Sequence, residues 1–483
     1  MKPASPTLEI GPIDRRIALS QQIYDRLRHA IDARMLRPGA RLASARALAS
    51  ELGVARGTVE VAYQRLAGEG YVLARGPAGT IVSPHLAQQS APPPPKSAGN
   101  VPPRVDRAAM AVNPEPPLPL QLGIPALDAF PRKLWSRLAT RRIRTTSAAE
   151  LSYSDPRGHL PLRQAIAAYL LVSRGVPCRA EQVVVTGGYR ASLALIAQTL
   201  LRQRDRVWIE DPCYPPTRTL LERAGANSCA VPVDDEGLVV SEGVRKASKA
   251  RLAVVTPSHQ APLGVSMSMP RRLQLLDWAS RHEAWIVEDD YDGEFHYHGP
   301  PLPALKSRDT ADRVIYAGSF SKVLFPGLSL GYLVLPERLI EAFEVSVRIW
   351  PNYVPRVTQA MVADFIDQGH FSRHLKKMRA LYAHRRALLV AALTEAFGAR
   401  VTIDLARGGM HLVARFSTRA SDQTLARRAQ RAGLNCQALS PRYLGQTREE
   451  GLLMGFTNVA TAQEAARLAA VLRSALAGGN VSG

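Results

Sequence analysis

Between Pro84 and Leu120 the chain carries eleven prolines, with Pro92, Pro93, Pro94 and Pro95 in a row, among Ala, Ser, Gln and Asn and with almost no periodic apolar pattern. Each proline fixes φ and removes a backbone donor, so this stretch cannot be threaded through a helix or the middle of a sheet. It reads as a linker, stiff in its polyproline parts and flexible elsewhere. The expected organisation is a head at residues 1–83, a linker at 84–120 and a body at 121–480. Those sizes suit one small and one large domain.

In the head, Leu19, Ile23, Leu27, Ala30 and Ile31 recur at helical spacing and are closed by Arg37-Pro38-Gly39. A second short helix is predicted from Ser44 to Leu52, then a tight turn at Gly53-Val54-Ala55. A third helix follows from Arg56 to Glu69, with Val59, Ala62, Tyr63 and Leu66 on one face. Two short helices joined by a glycine turn make a helix-turn-helix. Tyr71-Val72-Leu73 and Thr80-Ile81-Val82, flanking Gly76-Pro77-Ala78-Gly79, predict a hairpin wing. The third helix exposes Arg56, Gly57, Thr58 and Glu60 opposite its apolar stripe, and Arg46 projects from the helix before it. Short polar and basic side chains at a helix N-terminus are what contact with base edges and phosphates in the major groove requires. An ordinary three-helix domain with solvated arginines is the plainer alternative.

The run from Leu42 to Ala49, followed by Leu52-Gly53-Val54-Ala55-Arg56-Gly57-Thr58-Val59 and Ala62-Tyr63-Gln64-Arg65-Leu66, resembles the GntR-type winged helix over residues 17–83. The resemblance implies a double-stranded DNA operator as partner, contacts from Arg46 and Arg56, and assistance from Thr58 and the wing around Gly76. The family usually has proline where this chain has Ala43.

In the body, apolar runs alternate with helical segments: Val183–Val185, Val207–Ile209, Leu252–Val255, Trp285–Val287, Val314–Tyr316 and Tyr332–Leu335. That alternation predicts an α/β layer with a mostly parallel sheet, and from about Glu341 a smaller, largely helical α+β subdomain with strands near Leu412–Phe416 and Leu452–Phe456. Lys322 follows the strand candidate Val314–Tyr316 in Ala317-Gly318-Ser319-Phe320-Ser321-Lys322, which puts a lone amine at the mouth of a buried strand, where enzymes keep a Schiff-base lysine. Trp285–Val287 ends in Glu288-Asp289-Asp290-Tyr291, a carboxylate and a phenol for the same pocket. Thr186-Gly187-Gly188-Tyr189-Arg190 is a glycine turn opening a helix whose free amides could hold a phosphate. Each feature alone is commonplace. In this order, each at a strand end, they read as a pyridoxal 5′-phosphate site at the carboxyl edge of the sheet, with Lys322 as the attachment point, Asp289 facing the pyridine nitrogen, Tyr291 the ring hydroxyl, and Ser319 and Ser321 the phosphate.

The body resembles the fold-type I aminotransferases, and its union with a GntR-type head resembles the MocR/GabR group of transcription regulators. Tyr153-Ser154-Asp155-Pro156-Arg157-Gly158, Glu210-Asp211-Pro212-Cys213-Tyr214 and Pro326-Gly327-Leu328-Ser329-Leu330-Gly331-Tyr332 are among the motifs that carry this. The resemblance implies a homodimer, with Tyr153 lent to the partner's phosphate and Tyr214 near the ring. Three places depart from the pattern. Ser329 stands where an arginine usually pairs with the phosphate, and Arg190 is a candidate to supply that charge. The region Gly451–Phe456 lacks the arginine with which transaminases grip an α-carboxylate, leaving Arg442 or Arg448 as candidates, and Gln260-Ala261-Pro262-Leu263-Gly264 replaces an Asn-Pro loop. Both changes favour sensing over turnover.

Hydrophobic residues make up 46% and charged residues 21%, the balance of a globular protein. The net charge of +21 fits a polyanionic partner or simply an arginine-rich composition; residues 1–83 hold 12 basic and 7 acidic side chains, so charge does not locate the binding face. Cys178, Cys213, Cys229 and Cys436 lie far apart, with no metal-ligand spacing. No apolar run reaches the roughly 18 residues of a membrane span, and the N-terminus lacks a signal core, so a cytoplasmic location is expected. Three readings stay open: a regulator sensing an amine or amino acid through the cofactor, a sensor of the cofactor itself, and a working aminotransferase with a DNA-binding appendage.

Overall fold

A computed structural model describes residues 18–76, 79–87, 116–297, 303–350, 354–445 and 448–477. They fall into two compact units, one holding 18–87 and the other 116–477. Most of the proline-rich stretch, and the wing tip at Pro77 and Ala78, lie outside the described residues. At the far end of that stretch Leu120 is 3% exposed and its carbonyl accepts the Gly455 amide at 2.9 Å, so the chain is already packed against the body there.

In the first unit, α1 (Leu19–Asp32), α2 (Ala45–Leu52) and α3 (Arg56–Gly68) enclose a core of Ile23, Leu27, Leu48, Val59, Ala62 and Leu66. The Ser44 hydroxyl caps α2 by accepting the Ala47 amide at 3.1 Å, and Gly53 ends it at φ +62°, a backbone region that glycine enters without a Cβ penalty. β1 (Val72–Ala74) and β2 (Thr80–Val82) pair antiparallel as the wing. The Tyr63 hydroxyl on α3 donates to the Ala43 carbonyl at 2.8 Å, tying the turn before α2 to the third helix.

The second unit is built on eight strands: β3 (Val183–Thr186), β4 (Arg206–Asp211), β5 (Asn227–Asp234), β6 (Gly237–Leu238), β7 (Leu252–Val255), β8 (Trp285–Asp290), β9 (Val314–Ser319) and β10 (Gly331–Val334). Their order is β3-β10-β9-β8-β7-β4-β5-β6, parallel from β9 to β5, with β10 antiparallel to both its neighbours. The apolar runs are continuous because both faces are covered. Val183 and Val185 join one core while Val184 joins another, and on β7 Leu252 and Val254 separate from Ala253 and Val255 in the same way. A smaller antiparallel sheet of β11 (Val401–Asp404), β12 (His411–Phe416), β13 (Gln437–Ala438) and β14 (Leu452–Gly455) follows, ordered β11-β12-β14-β13. This is the large parallel-sheet domain with a C-terminal α+β subdomain that the sequence predicts.

Candidate functional site

The parallel strands all end on one edge, so the residues that leave their carboxyl ends meet there. Lys322, just past β9, donates from Nζ to the Gly123 carbonyl at 2.9 Å. Burial lowers its pKa; Asp292 and Asp289 oppose that effect and Arg190 adds to it, which places all three within electrostatic reach of the amine. Gly123, at φ +69°, has no side chain for a steric reason: a Cβ there would lie 2.5 Å from Nζ.

Along β8, pleating sends alternate side chains to opposite faces. Asp289, 6% exposed, faces the pocket, and burial pushes its pKa well above the usual carboxylate range, reinforced by Asp290, Asp292 and Glu210 and offset by Lys322. Asp290 faces the other way and forms a buried ion pair with Arg174 at 2.7 Å. Tyr291 returns to the pocket side, its hydroxyl 2.9 Å from Nδ1 of His259.

After β3, Gly188 at φ +94° opens the helix Tyr189–Leu200, whose first amides have no side-chain cap. Arg190 is exposed at that opening and reaches the Tyr214 hydroxyl at 3.4 Å, while the Tyr189 hydroxyl sits 2.9 Å from Thr217 Oγ1. Ser319 accepts the Ser321 amide at 3.2 Å, in the turn that leads to Lys322. Ser329 is exposed at φ +46°.

Arg442 lies at this site because β4 reaches across to the smaller subdomain. The Asp211 carboxylate accepts the Leu444 and Gly445 amides at 2.7 and 2.9 Å, and the Cys213 amide donates to the Arg442 carbonyl at 3.2 Å. Burial lowers the Arg442 pKa, and Tyr214, Cys213 and Tyr291 pull it back up, which puts those groups within electrostatic reach of the guanidinium, whose Nη2 donates to Gln437 Oε1 at 2.5 Å. Arg448 is exposed, its Nε 3.4 Å from the Gly445 carbonyl, and Tyr153 is 95% exposed. The structure thus gathers Lys322, Asp289, Tyr291, Tyr189, Arg190, Tyr214 and Arg442, and leaves Arg448 and Tyr153 outside that group.

The sequence gives no role to Gly123 or Asp292, nor to Glu210 and His259, which stand in motifs that carry the family resemblance. Glu210 is buried, with its pKa pushed up to about 7, and it accepts from the Thr256 amide and hydroxyl and from Gln260. His411 on β12 has its pKa lowered to about 4, chiefly by burial and then by His259. A histidine that stays neutral in the fold but protonates near pH 6.5 when unfolded makes the native state weaker as pH falls from 6.5 to 4, with the loss complete below 4. Two to three pH units correspond to about 3 kcal/mol. Urea titrations at pH 7.5 and 4.5 should therefore show His411→Gln gaining on wild type by about 2–3 kcal/mol at the acid end.

These residues fit pyridoxal 5′-phosphate. A buried carboxyl pushed toward its neutral form needs a cationic donor, which a protonated pyridine supplies. An uncapped helix start beside an arginine suits a dianionic phosphate. The amine with a depressed pKa suits an aldehyde. Among the described residues there is no cluster of His, Cys, Asp and Glu that could hold a metal, and no helix long and apolar enough to cross a membrane.

In the first unit Arg46 and Arg56 are exposed on α2 and at the start of α3, Thr58 is half-buried, and Gly76 is exposed at φ +54°. Arg56 pairs with Glu60 at 2.8 Å. Arg75 at the wing and Arg41, which bridges to Ile81 on β2, add two cations that the sequence reading does not single out.

A winged helix joined to an aminotransferase-like body defines a class of DNA-binding proteins with an aminotransferase-like module. The family model for class I and II aminotransferases matches residues 127–454, and that for bacterial regulatory proteins of the gntR family matches 19–82. The chain is 38% identical to the probable rhizopine catabolism regulatory protein MocR of Rhizobium meliloti, over 92% of this chain and 91% of that one. It is 32% identical to the pyridoxine biosynthesis transcriptional regulator PdxR of Corynebacterium glutamicum, over 91% and 92%. Among solved structures, the α-aminoadipate aminotransferase LysN of Thermus thermophilus, crystallised with N-(5′-phosphopyridoxyl)-L-leucine, superposes at a TM-score of 0.67 with 27% identity, covering 75% of this chain and 92% of that one. The chain belongs to the GntR-type transcription regulators of the MocR group, whose aminotransferase class I and II domain is of a family that binds pyridoxal phosphate.

Proposed function

We propose that this chain is a DNA-binding transcription regulator that holds pyridoxal 5′-phosphate on Lys322 and responds to an amine or amino acid at the same pocket. The observation that carries this reading is the meeting of the Lys322 amine, the buried Asp289 carboxyl and the uncapped helix start at Gly188 in a chain that also carries exposed arginines on a winged helix. The cofactor, when bound, supplies an aldehyde that condenses with primary amines. Burial keeps more of the Lys322 amine unprotonated and nucleophilic, and the Gly123 carbonyl accepts a hydrogen bond from it and so orients it. Asp289 would hold a proton at the ring nitrogen. Ser319, Ser321, the Gly188–Tyr189 amides and Arg190 would hold the phosphate, and Arg442 the carboxylate of an amino-acid effector.

A second copy of the chain is the proposed partner of the body. Ile143, Leu151, Tyr153, Val345, Ile349 and Trp350 are each more than half exposed. They lie on two segments stitched together by Arg157–Glu344 and Arg356–Glu150 ion pairs, and Tyr153 would reach the neighbour's phosphate. Binding to chromosomal DNA places the chain in the cytoplasm.

The test is a DNA-protection assay on the full chain with and without cofactor and candidate amines, alongside borohydride reduction and mass mapping. Expected are a mass increment on Lys322 and a footprint that changes with amine. No increment at Lys322 overturns the pocket reading, and sustained amino transfer to a keto acid without a footprint favours an enzyme. Arg190→Ala should weaken cofactor binding ten- to hundredfold, as loss of a hydrogen bond to a charged group contributes about 1.5–3 kcal/mol. Absorbance titration with equal affinity in both proteins would exclude Arg190 from the phosphate. Arg56→Ala should weaken operator binding and lower the slope of log affinity against log salt by about one, as loss of one phosphate contact does; an unchanged slope in gel-shift titrations removes that contact.

A further inference from the structure

β7 and β8 are parallel neighbours, so the loops leaving their carboxyl ends touch. His259, 5% exposed, holds Nδ1 2.9 Å from the Tyr291 hydroxyl and 3.2 Å from Oδ2 of Asp292. Asp292 is 1% exposed, and neither of its oxygens has an aligned hydrogen bond to any described group. The imidazole is caged. A Cβ at Gly409 would come within 2.1 Å of the ring and one at Gly264 within 3.0 Å, both at positive φ. The His411 ring meets it edge-on at 5.5 Å, with its own Nε2 committed to the Pro262 carbonyl at 2.8 Å. The titratable and charged groups around this cluster are Tyr291 and Asp292 from the β8 exit, His411 from β12 and Arg174, which lines the same small cavity as His259 and Asp292; Lys322 is within electrostatic reach of Asp292, and Asp289, Glu210 and Arg442 of Tyr291.

Nδ1 has room for one hydrogen or one lone pair. With a lone pair there, a buried carboxylate would face it at 3.2 Å without a donor, the costly arrangement. With hydrogen on Nδ1, aimed at Tyr291, the Tyr291 oxygen becomes an acceptor, which frees the phenol's own hydrogen, and the Asp292 carboxylate faces an electropositive N–H instead of a lone pair. A proton on Asp292 gives the same result, because the acid then takes the Nδ1 lone pair.

We propose that Asp292 and His259 are positioning residues that fix Tyr291 as a hydrogen-bond donor toward the ring oxygen of the cofactor. This rests on the pyridoxal phosphate reading above. A donor at that oxygen favours the form carrying full negative charge there, so its removal raises the pH midpoint of the visible absorbance change of the loaded full-length protein. Tyr291→Phe sets the scale, about one pH unit, or tenfold. His259→Leu should move the midpoint in the same direction and add nothing to Tyr291→Phe, as expected of groups acting through one another. Asp292→Asn also removes a negative charge that favours the cationic form of the Lys322 nitrogen, an effect of opposite sign, so its part through Tyr291 is read as its midpoint shift in the wild-type background minus its shift in the Tyr291→Phe background, and that difference should be positive. A wild-type midpoint in His259→Leu, or a zero difference for Asp292→Asn, while Tyr291→Phe shifts the midpoint, overturns the inference. Should one variant fail to fold, the other decides. A wild-type protein with no cofactor band at all defeats the pyridoxal phosphate reading itself, and that outcome is distinguished before any variant is made.

Discussion

Gly123→Ala is expected to cost about a hundredfold in cofactor affinity, with a smaller loss in stability of the body. The methyl group would sit 2.5 Å from Nζ and 3.3 Å from Cε of Lys322, closer than any real contact. The lysine is the movable partner, so the clash is relieved by swinging the amine off the Gly123 carbonyl rather than by unfolding. Displacing a reacting atom by about 1 Å costs on the order of a hundredfold in reactions that depend on placement. The left-handed φ of +69° adds about 1–2 kcal/mol of backbone strain for any residue with a Cβ. Absorbance titration with pyridoxal phosphate reads the first effect and thermal unfolding the second. Affinity within about threefold of wild type would show that the amine does not need that carbonyl.

Nothing in the sequence marks the Gly123 carbonyl, because a backbone acceptor has no residue signature and the residues around it read as the tail of a proline-rich stretch. The roles of His259 and Asp292 are hidden for a related reason. Each is an ordinary residue in its own loop, and their meeting depends on β7 and β8 being neighbours, a fact of topology that local pattern does not contain. The pattern does carry the strands buried on both faces: Val183–Val185, Leu252–Val255 and Trp285–Val287 are apolar without interruption, and each lies in a strand. Asn227–Asp234 escapes it because its sequence, with Pro232 and polar ends, pairs near the edge of the sheet and is only partly buried. Strands of two residues, such as β6 and β13, are made by their neighbours rather than by their own composition. The motif residues at Lys322, Asp289 and Tyr291 are legible since each follows a strong strand signal, and pleat alternation separates Asp289 and Tyr291 from Asp290.

That separation leads to the largest expected loss of stability. Arg174 and Asp290 are 3% and 1% exposed, joined at 2.7 Å, with Asp290 also accepting the Tyr316 hydroxyl at 2.6 Å and Arg174 donating to Ser258 at 2.7 Å. Taking one member away leaves a buried charge with nothing to neutralise it, which costs about 3–5 kcal/mol. Arg174→Met is therefore expected to destabilise the body by that amount, and Asp290→Leu by a comparable one, read as shifts in the urea midpoint. The pair joined together is a different matter. Replacing both by apolar groups removes two desolvated ions at once, so Arg174→Met with Asp290→Leu should lose much less than the two single losses added. Additive losses would mean that the hydrogen bonds to Tyr316 and Ser258, rather than the charge pair, hold this face of β8. The double variant should also keep cofactor affinity, because Asp289 and Tyr291 face away from the ion pair; if affinity falls with it, the two faces of β8 are coupled through the backbone.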